Sequence, residues 1–191
     1  MRSLNASAPA PSQPSPQRGL MDSIVQGAIV ELFQSCGVAV APRARAGLNI
    51  NEIQIPEVSA AINFSWVQAA GRSTAGRMTL SVPDALFAIM KLESTKRPQH
   101  FDWIRELTNQ LAARIKHRFL PFDVALQVAL PSLLSRQALE GQRSRMRSTR
   151  IYLGRTLRGE MLVTLDADID ESRLIYAGPA DVANEGDVIV F

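Results

Sequence analysis

Apolar residues in this chain change their spacing from block to block, between the three-to-four repeat of a helix and the alternation of a strand. That switching narrows the fold more than any other feature. From Asp22 to Cys36, Ile24, Ala28, Leu32 and Cys36 recur at helical spacing, which predicts a helix capped by Asp22 or Ser23 and closed by Gly37. After Pro42 the period becomes two: Ile53 and Ile55 alternate with polar residues, as do Ile62, Phe64 and Trp66. A turn at Gln68–Gly71 leads to a second strand over Gly76–Val82. Ser81-Val-Pro-Asp84 then reads as a helix start, with Asp84–Leu92 as the helix and Leu86, Ile89 and Met90 as its apolar face. A polar loop containing Pro98 separates it from the longest helix, Phe101–Arg118, which ends before Pro121. Strands follow at Val124–Leu130, Arg150–Leu153 and Met161–Asp166, and Val188–Phe191 offers an edge strand. Helices and strands in blocks, with hairpin-length turns, predict an α+β fold: an antiparallel β-sheet packed against long helices.

At 191 residues, 46% of them apolar, the chain suits one globular domain with a buried core and extensions. Residues 1–19 hold four of the eleven prolines among Ala, Ser and Gln, and read as a flexible leader. The domain is expected over 20–170, with 171–191 as an acidic C-terminal extension. No apolar run approaches the ~18–20 residues of a membrane span. The start has no apolar stretch of signal-peptide type, and the single Cys36 fits a reducing cytoplasm. Cys36 itself reads as a small apolar core residue near a helix end.

The residue inventory excludes several chemistries. Two histidines, His100 and His117, and one cysteine cannot supply the four closely spaced ligands of a structural zinc site. Gly71 and Gly76 have phosphate-loop spacing, but Arg77-Met78 stand where Lys-Ser/Thr is required, in a stretch that reads as a hairpin. Charge is unevenly spread: residues 1–159 carry a balance of +10 and residues 160–191 one of −7. Five arginines crowd Arg136–Arg150, which reads as a hairpin loop. Without nearby aromatics for stacking or a recognition helix, the stretch argues against nucleic-acid binding and for contact with an acidic partner or the chain's own acidic end.

Projecting Phe101–Arg118 at about 100° per residue puts Ile104, Leu107, Leu111 and Ile115 on one side, facing the sheet. Asp102, Glu106, Asn109, Ala113 and Lys116 fall on the other, the first three within an arc of about 60°. Any amphipathic helix has a polar side, so context must give the stripe its meaning. Phe101 and Trp103 read as packing anchors.

The context is the order of elements around it. Asp102-Trp-Ile-Arg-Glu106-Leu-Thr-Asn109 resembles the active-site signature of the chemotaxis phosphatases of the CheX, CheC and FliY group. Ala113 and Lys116 stand where that family has a small residue and often a lysine; the family often has Gly at the position of Ala113. Upstream, GRMTLSVPDALFAIM is similar to the family's strand–helix approach, and downstream LQVALPSLLS is similar to its strand ending in an (S/A)-x-P turn, here Ala129-Leu-Pro131. The resemblance spans roughly Ile24 to Asp166 and is nearest to CheX, since the motif occurs once.

The resemblance implies a CheC/CheX-like fold and a phosphatase that hydrolyses the phospho-aspartate of a CheY-type response regulator. Asn109 would position the attacking water and Glu106 would pair with the regulator's active-site lysine. Asp102 would have a supporting role, and Ala113 and Lys116 would lie in the docking face. The chain would need no cofactor of its own, because the regulator binds the Mg²⁺, and it would work as a homodimer in the cytoplasm. The alternative from another class is a CheX-like adaptor that binds a receiver domain or a motility-apparatus component with little turnover.

Overall fold

The computed structural model describes residues 19–44, 53–68, 73–89, 97–122, 124–143 and 149–178. Within them, four helices and seven strands succeed one another: α1 (Leu20–Ser35), β1 (Ala41–Ala44), β2 (Val58–Gln68), β3 (Ser73–Val82), α2 (Leu86–Ile89), α3 (Arg97–Phe119), β4 (Val124–Val128), β5 (Ser132–Leu134), α4 (Arg136–Arg143), β6 (Thr149–Thr156) and β7 (Gly159–Asp166). The strands form one sheet in the order β1-β6-β7-β3-β2-β4, with β5 also paired to β2. Every pairing is antiparallel. The α+β architecture is therefore the one the block pattern predicts.

α1 and α3 lie together on one face of the sheet. On β2, Val58, Ala60, Ile62, Phe64 and Trp66 are buried beneath them, every second residue, as a half-buried strand requires. Ile104, Leu107, Leu111 and Ile115 of α3 meet that face, joined by Phe119, whose ring stands edge-on to Trp66 at 4.4 Å between centroids. Gly76 on β3 is required by close approach: a Cβ there would come within 2.3 Å of the Phe64 ring. Gly37, at φ 73°, ends α1, and Val38 N–H bonds Phe33 O at 2.8 Å across it. Cys36 sits at this end, partly buried against the core, and burial raises its thiol pKa.

Several local readings are corrected. α1 starts at Leu20 with Gly19 as its cap and no side-chain cap from Asp22 or Ser23; Met21 N–H is instead taken by Glu171, 150 residues away, at 3.2 Å. Ile53 and Ile55 do not form a strand: they enter a second apolar cluster on the other face of the sheet with Leu139, Ile151 and Leu162. The arginine-rich stretch is not wholly a loop, because its first half is α4, docked through Leu139. Pro98 lies in the first turn of α3, where the backbone N–H it lacks would have had no intrahelical partner. β1, whose sequence APRA carries no strand pattern, is an edge strand on β6, a place that tolerates Pro42. The expected helix after Asp84 is described for one turn only, Leu86–Ile89, where Leu86 and Phe87 are buried; its remainder, the leader 1–18 and Val188–Phe191 lie outside the described residues.

The strand at Val124 also differs from its expected span. β4 stops at Val128, and the pairing with β2 resumes at β5 with its register shifted by one residue, from Phe64↔Val128 to Ala61↔Ser132. Ala129-Leu-Pro131 is thus a bulge on an edge, where a proline without N–H costs no ladder bond, and Leu130 is turned out to 91% exposure. Among the described residues no helix is long and apolar enough to cross a membrane.

Candidate functional site

α3 presents the predicted stripe outward. Asp102, Glu106, Asn109, Ala113 and Lys116 are all exposed, while Ile104, Leu107, Thr108, Leu111, Ala112 and Ile115 are buried on the other side. One helix therefore brings all five sequence-predicted residues to one surface, spaced along it as the wheel requires.

Their environments separate them. Asp102 is paired with Arg105 one turn on, so its charge is met within the helix. Glu106 accepts a hydrogen bond from the Gln110 amide at 2.8 Å and has no cationic partner among the described residues. Asn109 makes no hydrogen bond through its amide, and Lys116 no ion pair, among the described residues. The stripe thus offers a neutral amide, a carboxylate held by a neutral donor, and an ammonium group, all facing solvent. An amide can donate to or accept from water, and a carboxylate left unpaired can take a cation from a partner.

Both ends of α3 are tied to neighbouring elements. At the N-terminal end His100 Nδ1 lies 2.6 Å from Asp84 Oδ1, and the imidazole stacks on Phe87 at 4.6 Å and 16°. Glu57 in turn accepts the Asp84 N–H at 3.2 Å. Toward the C-terminal end Arg114 reaches Ser35 at 3.2 Å and Arg118 reaches Glu31 at 3.1 Å, both on α1. Arg118 crosses α1 at Gly27, where a Cβ would lie 2.7 Å from its Nη1.

Sequence reasoning did not single out Arg105, Gln110 or the Asp84–His100 contact. The first two are legible as i,i+3 and i,i+4 partners of the stripe; the third needs the fold. Phe101 and Trp103 correct the expectation that they are packing anchors: they are 37% and 39% exposed. Among the described residues no group of three or more His, Cys, Asp or Glu side chains gathers as a metal site.

A different polar cluster lies at the far end of α1. Tyr152, buried on β6, donates to Asp22 at 3.0 Å; Arg150 lies 3.4 Å from Asp22 and 2.5 Å from Glu171. Burial, and then the Asp22 carboxylate, raise the Tyr152 phenol above its ordinary range. For Arg150 burial works against the charge, and Glu171, Tyr152 and Asp22 more than restore it. One arginine of the basic stretch therefore meets Glu171 of the chain's own acidic end, one of the two contacts that the charge distribution suggested.

No protein-family model and no curated protein matches the sequence. Solved structures do match its fold. A CheC-like superfamily protein from Shewanella sp. PV-4 is 13% identical at a TM-score of 0.57, over 78% of this chain and 97% of that one. The chemotaxis protein CheX from Vibrio vulnificus is 14% identical at a TM-score of 0.57, over 78% and 99%. The chemotaxis protein CheX from Desulfovibrio desulfuricans is 14% identical at a TM-score of 0.55, over 78% and 99%. The chain has a CheX/CheC-like fold.

Proposed function

We propose that this chain is a phosphatase for the phospho-aspartate of a CheY-type response regulator. The observation that carries the reading is the triad Asp102, Glu106 and Asn109 on the solvent side of α3, in a chain with the CheX/CheC fold. Either half alone is weaker: the triad is a short motif, and a fold hosts many functions.

In this reading α3 enters the regulator's active site. Glu106, held by Gln110 and carrying an unmatched charge, pairs with the regulator's lysine and anchors the helix. Asn109 holds a water in line with the phosphorus. The water oxygen bonds to phosphorus as the bond to the aspartyl oxygen breaks, releasing inorganic phosphate and the free carboxylate. Such a transfer needs positioning and charge stabilisation more than covalent help. The regulator brings the acidic pocket and Mg²⁺; this chain brings the geometry. Asp102, neutralised by Arg105, supports the helix surface and does not touch the partner's cations. Ala113 lets the partner come close, and Lys116 adds a cation to the rim. The active species is a homodimer.

The test is the lifetime of phosphate on a CheY-type receiver. Wild type shortens it; Asn109→Ala, which retains binding, loses that acceleration by ~100-fold. If both proteins bind and neither shortens the lifetime, the chain is an adaptor on a phosphatase fold, and the stripe is only a docking face.

A further inference from the structure

We infer that Trp103 is an affinity-determining residue of the candidate site, which seats the receiver domain against the flank of α3 that α1 leaves open. The inference rests on the phosphatase reading and separates, within one helix face, the residue that sets affinity from the one that sets turnover.

Trp103 precedes Glu106 by three residues and Asn109 follows it by three. At about 100° and 1.5 Å per residue they lie about 60° to either side of Glu106 and about 9 Å apart along the axis. A surface centred on Glu106 therefore meets Asn109 on one side and Trp103 on the other. Phe101, about 140° from Glu106, belongs to the opposite flank and takes no part.

The indole is partly uncovered for a reason visible in the packing. α1 lies along this flank further down: Arg114, about 20° round from Trp103, reaches Ser35, the last residue of α1. There α1 stops, while Trp103 stands about 16 Å from Arg114 along α3. The other large apolar side chains of α3 between Ile104 and Phe119 are buried, yet Trp103 stays 39% exposed beside the polar stripe. A large rigid apolar group at the edge of a polar site contributes mainly binding free energy, because it gains most from leaving water. It touches neither the phosphoryl group nor the water, so its effect falls on affinity and not on the chemical step.

The experiment uses the full chain and a CheY-type receiver phosphorylated from acetyl phosphate. Trp103→Ala raises Kd and KM about tenfold or more and leaves kcat within about twofold, and Trp103→Phe recovers most of the affinity. Asn109→Ala does the reverse. A further readout needs no variant. The other tryptophan, Trp66, is buried at 3% exposure, so acrylamide quenches mainly Trp103, and bound receiver shields it. Unchanged Kd and KM in Trp103→Ala, or an indole still quenched in the complex, overturns the inference; if Asn109→Ala still loses turnover, the phosphatase reading survives. A wild-type chain that neither binds nor accelerates any receiver overturns both.

Discussion

Tyr152 shows how much a single side chain can depend on residues remote in the sequence. Its hydroxyl is buried and donates to Asp22, 130 positions away, with Arg150 beside the same carboxylate. Ionising that phenol in the fold would set a buried anion against Asp22, and this is why its pKa is raised. In the unfolded chain the phenol ionises near 10, so above that pH the unfolded state loses its proton first. Stability is therefore full below pH 10 and falls as pH rises beyond it, by at most about 1.4 kcal/mol per pH unit from this group. Tyr152→Phe removes the group and flattens that alkaline limb, at the cost of one hydrogen bond, about 1 kcal/mol near neutrality. Urea unfolding at several pH values between 7 and 11 measures both; equal alkaline slopes in the two proteins would refute the assignment. The stripe residues were legible at this scale because each reports only its own position on a helix. Trp103 was not: an aromatic residue is expected inside, and its exposure follows from where another helix ends.

Among elements, α3 was the most legible, since 3.6-residue periodicity sustained over more than four turns is a local signal. The elements misread were those whose order comes from distant partners. Ile53 and Ile55 alternate because both reach an apolar cluster. β1 has neither β-branched nor aromatic residues and exists because β6 offers it an edge. α4 is hidden by its arginines and is fastened by Leu139, a fully buried side chain packed with Ile55, Ile151 and Leu162. Leu139→Ala therefore costs about 2–5 kcal/mol if the cavity stays open, and less if α4 lifts away. Hydrogen exchange distinguishes these outcomes: amides of α4 lose protection while those of α3 keep theirs. Equal loss in both helices would mean that the second cluster supports the whole domain and not α4 alone.

For the molecule as a whole, the contact of longest reach ties the start of α1 to the segment after β7. Glu171, shortly after β7, accepts the Met21 N–H at the start of α1 and pairs with Arg150 at the start of β6. Its carboxylate lies so close to Gly19 that a Cβ there would stand 2.8 Å from Oε2. A carboxylate at a helix N-terminus satisfies orphan donors and meets the positive end of the helix dipole. Here it also takes the place of the local cap that α1 lacks. No local pattern could announce this, because the donor and the acceptor are 150 residues apart. Glu171→Ala removes the cap and leaves Arg150 with Asp22 alone, for an expected loss of about 1–2 kcal/mol. Glu171→Gln keeps an acceptor for Met21 but gives up the charge, so it loses less, and added salt narrows the gap between wild type and Gln because the pair is partly exposed. Denaturation midpoints in urea at low and high ionic strength read these differences directly. The candidate stripe lies on the outer side of α3, away from this latch, so on the proposed phosphatase reading both variants retain wild-type action on a receiver at 25 °C. A variant that lost that action while staying folded would mean that the Glu171 latch shapes the α3 face and does not merely hold the domain shut.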